Sequence, residues 1–531
     1  MSGVVGTRHL VRLALRRDRV VLPPWIIVLG VIPAATAGLY DQLYPDQAGR
    51  ASLTHAMSSN PSLSLLYGPA FDLSTAGGFT AWRYGSLIAL VMGLVCVFTV
   101  TRHTRQEEDT GRQELLSSAV TGRYASLTAA LITAGLTAAA TGLVSAVAMI
   151  AAGLPPAGSI AFGLGIMLTG WVFSAIAAVS AQLAEYSRTA NGIASAVVGA
   201  TFLLRAVGDA ASDLGWLSWL SPIGWASQLR PFAGERWWVL LLLLAATGVL
   251  AAVAYRLLPR RDVGIGILPA KPGPPVGAPG LRSPLGLAWR LHRGLLTGWL
   301  GGFAVMGALF GSMAAGIGDV VGDSAQAKEM FQRLGGASGM VDAFLAAISS
   351  IYGMIAAMYA VQATLRMRTE ETGIRLEPLL ATRVRRLRWV GSHLVFSLLG
   401  SALLLVVAGV ATGLLHGLRV GYVSGQVPAV LGAAVAQIPA VWVVAGIAVL
   451  VFGAAPKYVM AGWSVASLSL ALALYGPVLQ LPQIVVDFSP FAHVPKLPSA
   501  AFTATPLLWL CLIAVVALAA GLTGFRRRDV G

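Results

Sequence analysis

The chain has 531 residues, 56% of them apolar and 11% charged, with a formal charge of +15 and a mean hydropathy of +0.75. So small a charged fraction cannot cover a water-soluble fold of this size, and the apolar surplus must face lipid. Disorder, collagen and a secreted disulfide scaffold are excluded as well, because the two cysteines, Cys96 and Cys511, each sit inside an apolar run and suit packing better than a disulfide or a metal site.

In chain order, residues 8–19 come first. Arg8, Arg12, Arg16 and Arg19 share one side of a helix, with Leu10, Val11, Leu13 and Ala14 mostly opposite; this reads as a helix lying on the inner leaflet. Arg17 interrupts the apolar face, so a plain basic topology signal is the competing reading. No cleavable signal peptide is expected, since no small-residue cleavage site follows a short apolar core. Twelve apolar stretches then recur, each long enough to cross about 30 Å of hydrocarbon at about 1.5 Å per residue. Their cores are 21–40, 84–101, 125–153, 158–184, 189–207, 237–255, 294–318, 343–365, 389–415, 428–455, 458–480 and 505–525. The fifth is charge-free only from Thr189 to Leu204, which predicts that Arg205 either snorkels or ends the span. With the N-terminus inside, the loops collect 28 of the 37 Lys and Arg residues on the inner face and 9 on the outer. That bias predicts a multi-pass plasma-membrane protein with both termini cytoplasmic, and it makes the basic charge a topology signal rather than a nucleic-acid surface.

Self-comparison shows that the chain is two copies of one half. Ala14, Arg16, Arg19 and Trp25 return as Ala288, Arg290, Arg293 and Trp299. The loop after the second span repeats after the eighth at an offset of 263: Thr101, Arg105, Glu107, Glu108, Arg112, Glu114, Leu116 and Arg123 match Thr364, Arg368, Glu370, Glu371, Arg375, Glu377, Leu379 and Arg386. Arg188 corresponds to Lys457, Ser221-Pro222 to Ser489-Pro490, and Arg260-Arg261-Asp262-Val263-Gly264 to Arg527-Arg528-Asp529-Val530-Gly531. Six spans per half make the repeats parallel, with a pseudo-two-fold along the membrane normal expected. The domains are then a first permease half at 1–264, a Pro/Gly-rich cytoplasmic linker at 265–284 and a second half at 285–531. The first external loop, 41–83, is longer than its counterpart at 319–342, which supplies the shift in offset.

The most charged repeated element is the loop at 105–123 and 368–386. Acidic residues at its start suit a helix N-terminus, while Leu115 and Leu116, or Leu379 and Leu380, make an apolar knob that a solvated loop does not need. A charged hairpin obeying topology rules is the bland reading, but topology asks for Lys and Arg rather than a repeated Glu-Glu pair. On the outer face, 213–238 and 484–506 are interrupted by proline and read as short interfacial segments around Ser221, Pro222 and Trp225, and around Ser489, Pro490 and Phe491. An aromatic anchor and a lid over the pathway stand as equal readings of them.

The span cores carry almost no ionisable residue: Arg205 and Asp342 lie near span ends and His393 near an inner boundary. Gln437 and Pro439 mark either a kink in the tenth span or a helix–helix hydrogen bond, and the glycines of 163–168 read as helix packing. There is no GxxxxGK[ST], HExxH or GxSxG, and the seven histidines are scattered singly. The chain therefore holds no ATPase, protease or metal site of its own.

The acidic pairs with their spaced arginine and leucines, the Ser-Pro before the sixth span and the RRDVG after it resemble the ABC type 2 exporter permeases. Within these the chain is similar to the fused, twelve-span actinobacterial branch of polyketide-antibiotic exporters of the tetronasin-resistance kind. The resemblance implies an all-α membrane subunit that moves hydrophobic or amphipathic compounds out of the cell, binds no cofactor itself, and works with two copies of a separately encoded ATPase carrying ATP and magnesium. By similarity, Glu107, Glu108, Arg112, Glu114, Leu115 and Leu116, with Glu370, Glu371, Arg375, Glu377, Leu379 and Leu380, form two coupling helices against that ATPase. Pro378 in place of Leu115 and Ile374 in place of Gly111 make the two docking sites differ in shape. An ion-coupled carrier, which also has two parallel six-span halves, and a non-transporting scaffold are the alternative readings.

Overall fold

The computed structural model describes residues 3–43, 47, 50–51, 54, 61–210, 212–268, 273, 275–314, 339–459, 461–475 and 482–529. The described chain is an all-α polytopic membrane protein. Ten of its helices are long and apolar enough to cross a bilayer, or eleven if the bent pair Thr7–Asp18 and Leu22–Gly38 is one span. The remaining expected span, 458–480, is described as the helix Ala461–Tyr475, with residue 460 and residues 476–480 outside the described set. Much of the first external loop and of its counterpart also lies outside it.

The chain divides into two compact units, Met1–Gly273 and Pro274–Gly531. The first contains α1 (Thr7–Asp18), α2 (Leu22–Leu43), α3 (Pro61–Tyr67), α4 (Ala76–Arg102), α5 (Arg105–Asp109), α6 (Arg112–Ser117), α7 (Ala125–Ala151), α8 (Pro156–Leu183), α9 (Ser187–Ala210), α10 (Pro222–Gln228) and α11 (Val239–Leu257). The second contains α12 (Pro284–Ala314), α13 (Met340–Thr372), α14 (Leu376–Leu380), α15 (Arg386–Val420), α16 (Val423–Val435), α17 (Ile438–Ala454), α18 (Ala461–Tyr475), α19 (Gln483–Val486) and α20 (Ala504–Arg527). At about 1.5 Å per residue, the 27 residues of α7 reach about 40 Å, enough for the hydrocarbon and part of the headgroup layer.

In the first unit the fourth span, α8, is central, packing on α4, α7 and α11, while α2 packs on α7 and α9 on α4. In the second unit the α16–α17 pair occupies the same place, α16 against α15 and α17 against α13 and α20, with α12 on α15 and α18 on α13. The sequence repeat thus appears as one packing order used twice. Small residues set the closest crossings, because without a hydrophobic force between helices in lipid it is close van der Waals approach that holds them. Gly142 of α7 and Gly163 of α8 meet so tightly that a Cβ on either would overlap the other's carbonyl oxygen, and between α17 and α20 a Cβ on Gly453 would overlap the Gly521 carbonyl oxygen and one on Gly521 that of Val449. Cys96 is buried on α4 and Cys511 half-buried on α20, and both are free.

Several expectations are refined. α1 meets α2 at a 75° bend, whereas its counterpart in the second unit runs straight into the span as the start of α12. The tenth span breaks between α16 and α17, with Pro439 in the first turn of the latter, and Gln437 is buried against Gly353 of α13. Residues 265–268, expected to open an extended linker, are docked instead: the N–H groups of Ile267 and Leu268 donate to the carbonyls of Gln182 and Leu183 at 3.0 and 2.9 Å.

The fifth span neither ends at Arg205 nor lets it snorkel. Arg205 is fully buried and donates to the carbonyls of Ser64, Leu65 and Leu66 at 3.0–3.2 Å. It lies 3.6 Å from Asp209, which accepts the Ser218 hydroxyl at 2.6 Å. The cation thus caps the carbonyl end of α3, where helix partial charge favours it. His393 is also buried, with its Nδ1 2.9 Å from Nε2 of His292.

Two outcomes test this packing. Gly163→Val overpacks the α7–α8 crossing and is expected to cost about 1–3 kcal/mol, read as a lower Tm of the detergent-purified protein, whereas Gly192→Ala, at a helix position with open space around it, leaves Tm unchanged or slightly raised. Arg205→Leu leaves Asp209 buried without its cation and is expected to cost about 3 kcal/mol, much of which Asp209→Leu recovers in the double variant; wild-type Tm in the single variant would contradict the buried pairing.

Candidate functional site

The repeated charged loop is built on buried ion pairs. α4 ends at Arg102, and after His103 and Thr104 the chain turns into α5, so that Arg105 points back into the unit. Its side chain is fully buried: Nε and Nη2 donate to the Ala181 carbonyl at 3.0 and 2.6 Å, and Nη1 donates to Glu108 Oε2 at 2.7 Å. Glu108 is gripped from the other side by Arg261 of the RRDVG segment, whose Nη2 and Nη1 donate to Oε1 and Oε2 at 2.6 and 2.9 Å. The Gly264 N–H adds a bond to Oε2 at 3.1 Å, and Arg261 Nε donates to the Gln182 amide oxygen at 2.7 Å. A planar guanidinium meeting a carboxylate with two parallel bonds is the most directional ion pair that side chains offer. It fastens the loop after the second span to the end of the sixth.

The second unit makes the same fastening with the corresponding residues. Arg528 meets Glu371 with its Nη1 and Nη2 at 2.7 and 2.9 Å, and Arg368 pairs with Glu371 at 3.0 Å. Arg528 also lies over the rings of Phe452 and Phe525, each 5.0 Å away, and its carbonyl accepts from Arg386 at 2.7 Å. The first glutamate of each pair is equally occupied. Glu107 pairs with Arg17 of α1 and lies 4.0 Å from Arg112, and Glu370 pairs with Arg366 at 2.8 Å and Arg375 at 3.4 Å.

α1 is tied to the same place through Asp18, 2.8 Å from Arg102 and 2.6 Å from His103 Nε2. Burial pushes the Asp18 carboxyl up, but the hydrogen bond and charge of His103, together with Arg102 and Arg17, outweigh it and hold the group below its ordinary value. A depressed carboxyl adds stability above the unfolded pKa of about 3.9 and loses it as pH falls through the lower folded value. Asp109 accepts from the Ser187 N–H at 2.8 Å, an acidic group at the N-terminus of α9.

The four glutamates expected to face a partner are therefore buried, with side chains only 4–9% exposed, and committed within their own unit. What the loop presents is different. In the first unit Leu115 is 75% and Val120 71% exposed, with Arg112 and Glu114 also exposed around them. Gly111, at φ +70°, makes the left-handed turn that separates α5 from α6. The side chain of Leu116 lies outside the described residues. In the second unit Leu379 and Leu380 pack against the core around Leu376, Trp389 and Phe525, and the exposed apolar residue is Ile374, at φ +55° and 68% exposed, beside exposed Arg375 and Glu377. The apolar knob exists in both units, on different residues.

The segments before α11 and α20 also differ. Ser221 caps α10 by accepting from the Gly224 N–H at 3.2 Å, Pro222 opens that helix, and Trp225 Nε1 donates to the Trp219 carbonyl at 2.6 Å. Ser489 makes no such cap; Pro490 begins a short 3-10 turn, and Phe491 is buried.

Removing one member of a buried fork is expected to cost about 3 kcal/mol. Glu108→Ala and Glu371→Ala should each lower Tm accordingly, while Glu108→Leu combined with Arg105→Met and Arg261→Met recovers most of the loss. Leu115→Ser and Ile374→Ser should shift stability by no more than about 0.5 kcal/mol. Equal effects at the buried and exposed positions would contradict this division.

Comparison with known proteins matches residues 281–526 to a family described as the multidrug efflux system permease Rv1217c, C-terminal domain. The whole chain is 45% identical over 531 residues, all of this chain and 96% of the other, to the multidrug efflux system permease protein Rv1217c of Mycobacterium tuberculosis (strain ATCC 25618 / H37Rv). An identity of that size over the full length leaves one conclusion: the chain belongs to the family of multidrug efflux system permeases.

Proposed function

We propose that the chain is the membrane-spanning subunit of an ATP-driven ABC exporter of the plasma membrane, of the fused twelve-span, tetronasin-resistance-like kind, carrying hydrophobic or amphipathic compounds outward. The observation that carries this reading is the exposed apolar knob at Leu115 and Val120, and at Ile374, set on a loop that buried ion pairs hold to the end of the last span of its own unit. A push on such a loop is transmitted to the spans, because the loop cannot yield without breaking a buried fork. The 531 residues contain no phosphate-binding loop, so the energy comes from another chain, and ATP with magnesium belongs to that partner. Two knobs per chain fit two copies of an ATPase subunit.

In this account Glu107, Glu108, Glu370 and Glu371 are positioning residues, and the partner meets Arg112, Glu114 and Leu115 on one loop and Ile374, Arg375 and Glu377 on the other. The halves meet at the linker within 265–284, both termini are cytoplasmic, and the segments around Trp225 and Phe491 lie at the outer face. The many small residues along the spans suit an apolar pathway of loose selectivity.

The test is to purify the chain from native membranes in mild detergent and quantify what accompanies it. Two copies per chain of an ATPase bearing a phosphate-binding loop are expected, and the double variant Leu115→Asp with Ile374→Asp should retain about tenfold less of it at wild-type Tm. A chain that comes out alone while other membrane complexes survive, or a double variant that keeps the partner, overturns the reading.

A further inference from the structure

α1 and its C-cap carry five arginines, which divide between two sides. Arg17 turns into the unit and pairs with Glu107, and Asp18, the only acid of the helix, is buried against Arg102 and His103. Arg8, Arg12, Arg16 and Arg19 lie on the outer side, within about 80° of helix surface at 100° per residue. All four are exposed, and none makes an ion pair or a side-chain hydrogen bond among the described residues. A free amphipathic helix would turn Leu10, Val11 and Ala14 to lipid. Here α1 packs on α7 instead: Ala14 is buried, and with Leu10 it lines a small cavity shared with Ser126 and Ala129 of α7. Protein takes the apolar side of the helix, and what the helix presents outward is an uncompensated row of guanidinium groups.

The position of that row indicates its partner. Spans tilt about 20° from the membrane normal, so a helix bent by 75° from its span lies nearer the membrane plane than the normal. α2 begins at Leu22, one turn after Asp18, and Val20, Val21 and Trp25 at its entry are exposed, as lipid contact requires. Leu13 and Leu15, also exposed, border the arginines on their two sides. Four unpaired guanidiniums edged with apolar side chains, at the level where a span enters the bilayer, match the phosphates of an anionic membrane surface. A topology signal needs only the number of charges, not their collection on one face away from every carboxylate. The helix is also fixed in advance: besides the Arg17 and Asp18 pairs, the N–H groups of Gly122 and Tyr124 donate to the carbonyls of Val5 and Gly3 at 2.8 Å. A preformed surface loses little ordering entropy on binding. In the second unit the same stretch continues the axis of α12, a helix of 31 residues and about 46 Å, so Arg290 and Arg293 stand along the span rather than across it.

We infer that the outer face of α1, formed by Arg8, Arg12, Arg16 and Arg19, binds the headgroups of anionic phospholipids in the inner leaflet. The inference rests on the cytoplasmic N-terminus of the function proposed above and not on its ATPase.

The test uses the full chain in a neutral detergent, titrated with phosphatidylglycerol against phosphatidylcholine. Lipid retained per chain is read by native mass spectrometry, and the place of binding by hydrogen–deuterium exchange over residues 7–19. Wild type should retain phosphatidylglycerol in preference, exchange more slowly over 7–19 in its presence, and lose the preference as salt is added. Arg8→Gln with Arg12→Gln, Arg16→Gln and Arg19→Gln removes only exposed, unpaired side chains; it should keep the wild-type Tm in phosphatidylcholine and bind phosphatidylglycerol at least about tenfold more weakly. Lysine at the same four positions should restore most of the binding. A wild type without preference, a quadruple glutamine variant that binds as tightly as wild type, or protection of 7–19 by a co-purifying protein and not by phosphatidylglycerol overturns the inference. Loss of the lipid preference leaves co-purification of an ATPase as it was, so the two readings fail separately.

Discussion

A carboxylate clamped between two arginines, one beside it on the loop and one from the end of the last span, is the interaction on which each half of this protein depends. Glu108 with Arg105 and Arg261, and Glu371 with Arg368 and Arg528, join segments roughly 150 residues apart. Burying so many charges is expensive, and a well-packed apolar substitute would often hold as well. What the fork adds is direction: two parallel bonds fix orientation as well as distance. In the function proposed, a loop that meets another protein at one angle and passes force inward needs that property more than it needs stability. The same reasoning covers Arg17 and Glu107, through which α1 joins the assembly, and Asp18, which binds α1 to the end of α4.

Around this framework the spans pack by close approach. Gly142 against Gly163 and Gly453 against Gly521 bring helix axes together where no side chain fits, and the fourth span of each unit becomes the element most others touch. Two ionisable groups that lie within the spans are matched locally. Arg205 is taken up by three carbonyls and Asp209, and His393 by His292. These contacts hold segments together across the chain.

Much of this was legible in the sequence, and the gaps have physical causes. Hydropathy located ten of the spans, or eleven with the bent pair counted as one, because a residue of a spanning helix in lipid must be apolar or partnered, and Gly163 is a packing position as read. Self-comparison found both the Glu-Glu pairs and the RRDVG segments, but as separate features. Their pairing was missed because nothing local to either motif encodes a contact with the other; the available signal was that both recur together and carry opposite charge. That oversight led to the buried glutamates being taken for the exposed face. Leu379 and Leu380 read as a knob for a related reason: Phe525, in the cluster they pack against, is distant in sequence. The fate of Arg205 was out of reach because its acceptors are backbone carbonyls of residues 64–66, and a carbonyl leaves no mark on sequence.

The central claim is that the loop of the first unit is held fast around its buried glutamates and open to solvent around Leu115. Hydrogen–deuterium exchange on the purified chain tests it most directly, by comparing the segment 105–109 with 112–117. The account predicts slow exchange in the first, held by Arg105, Glu108 and Arg261, and fast exchange in the second, with Glu108→Gln bringing the first up to the rate of the second. Equal exchange of the two segments in the wild-type chain would contradict it.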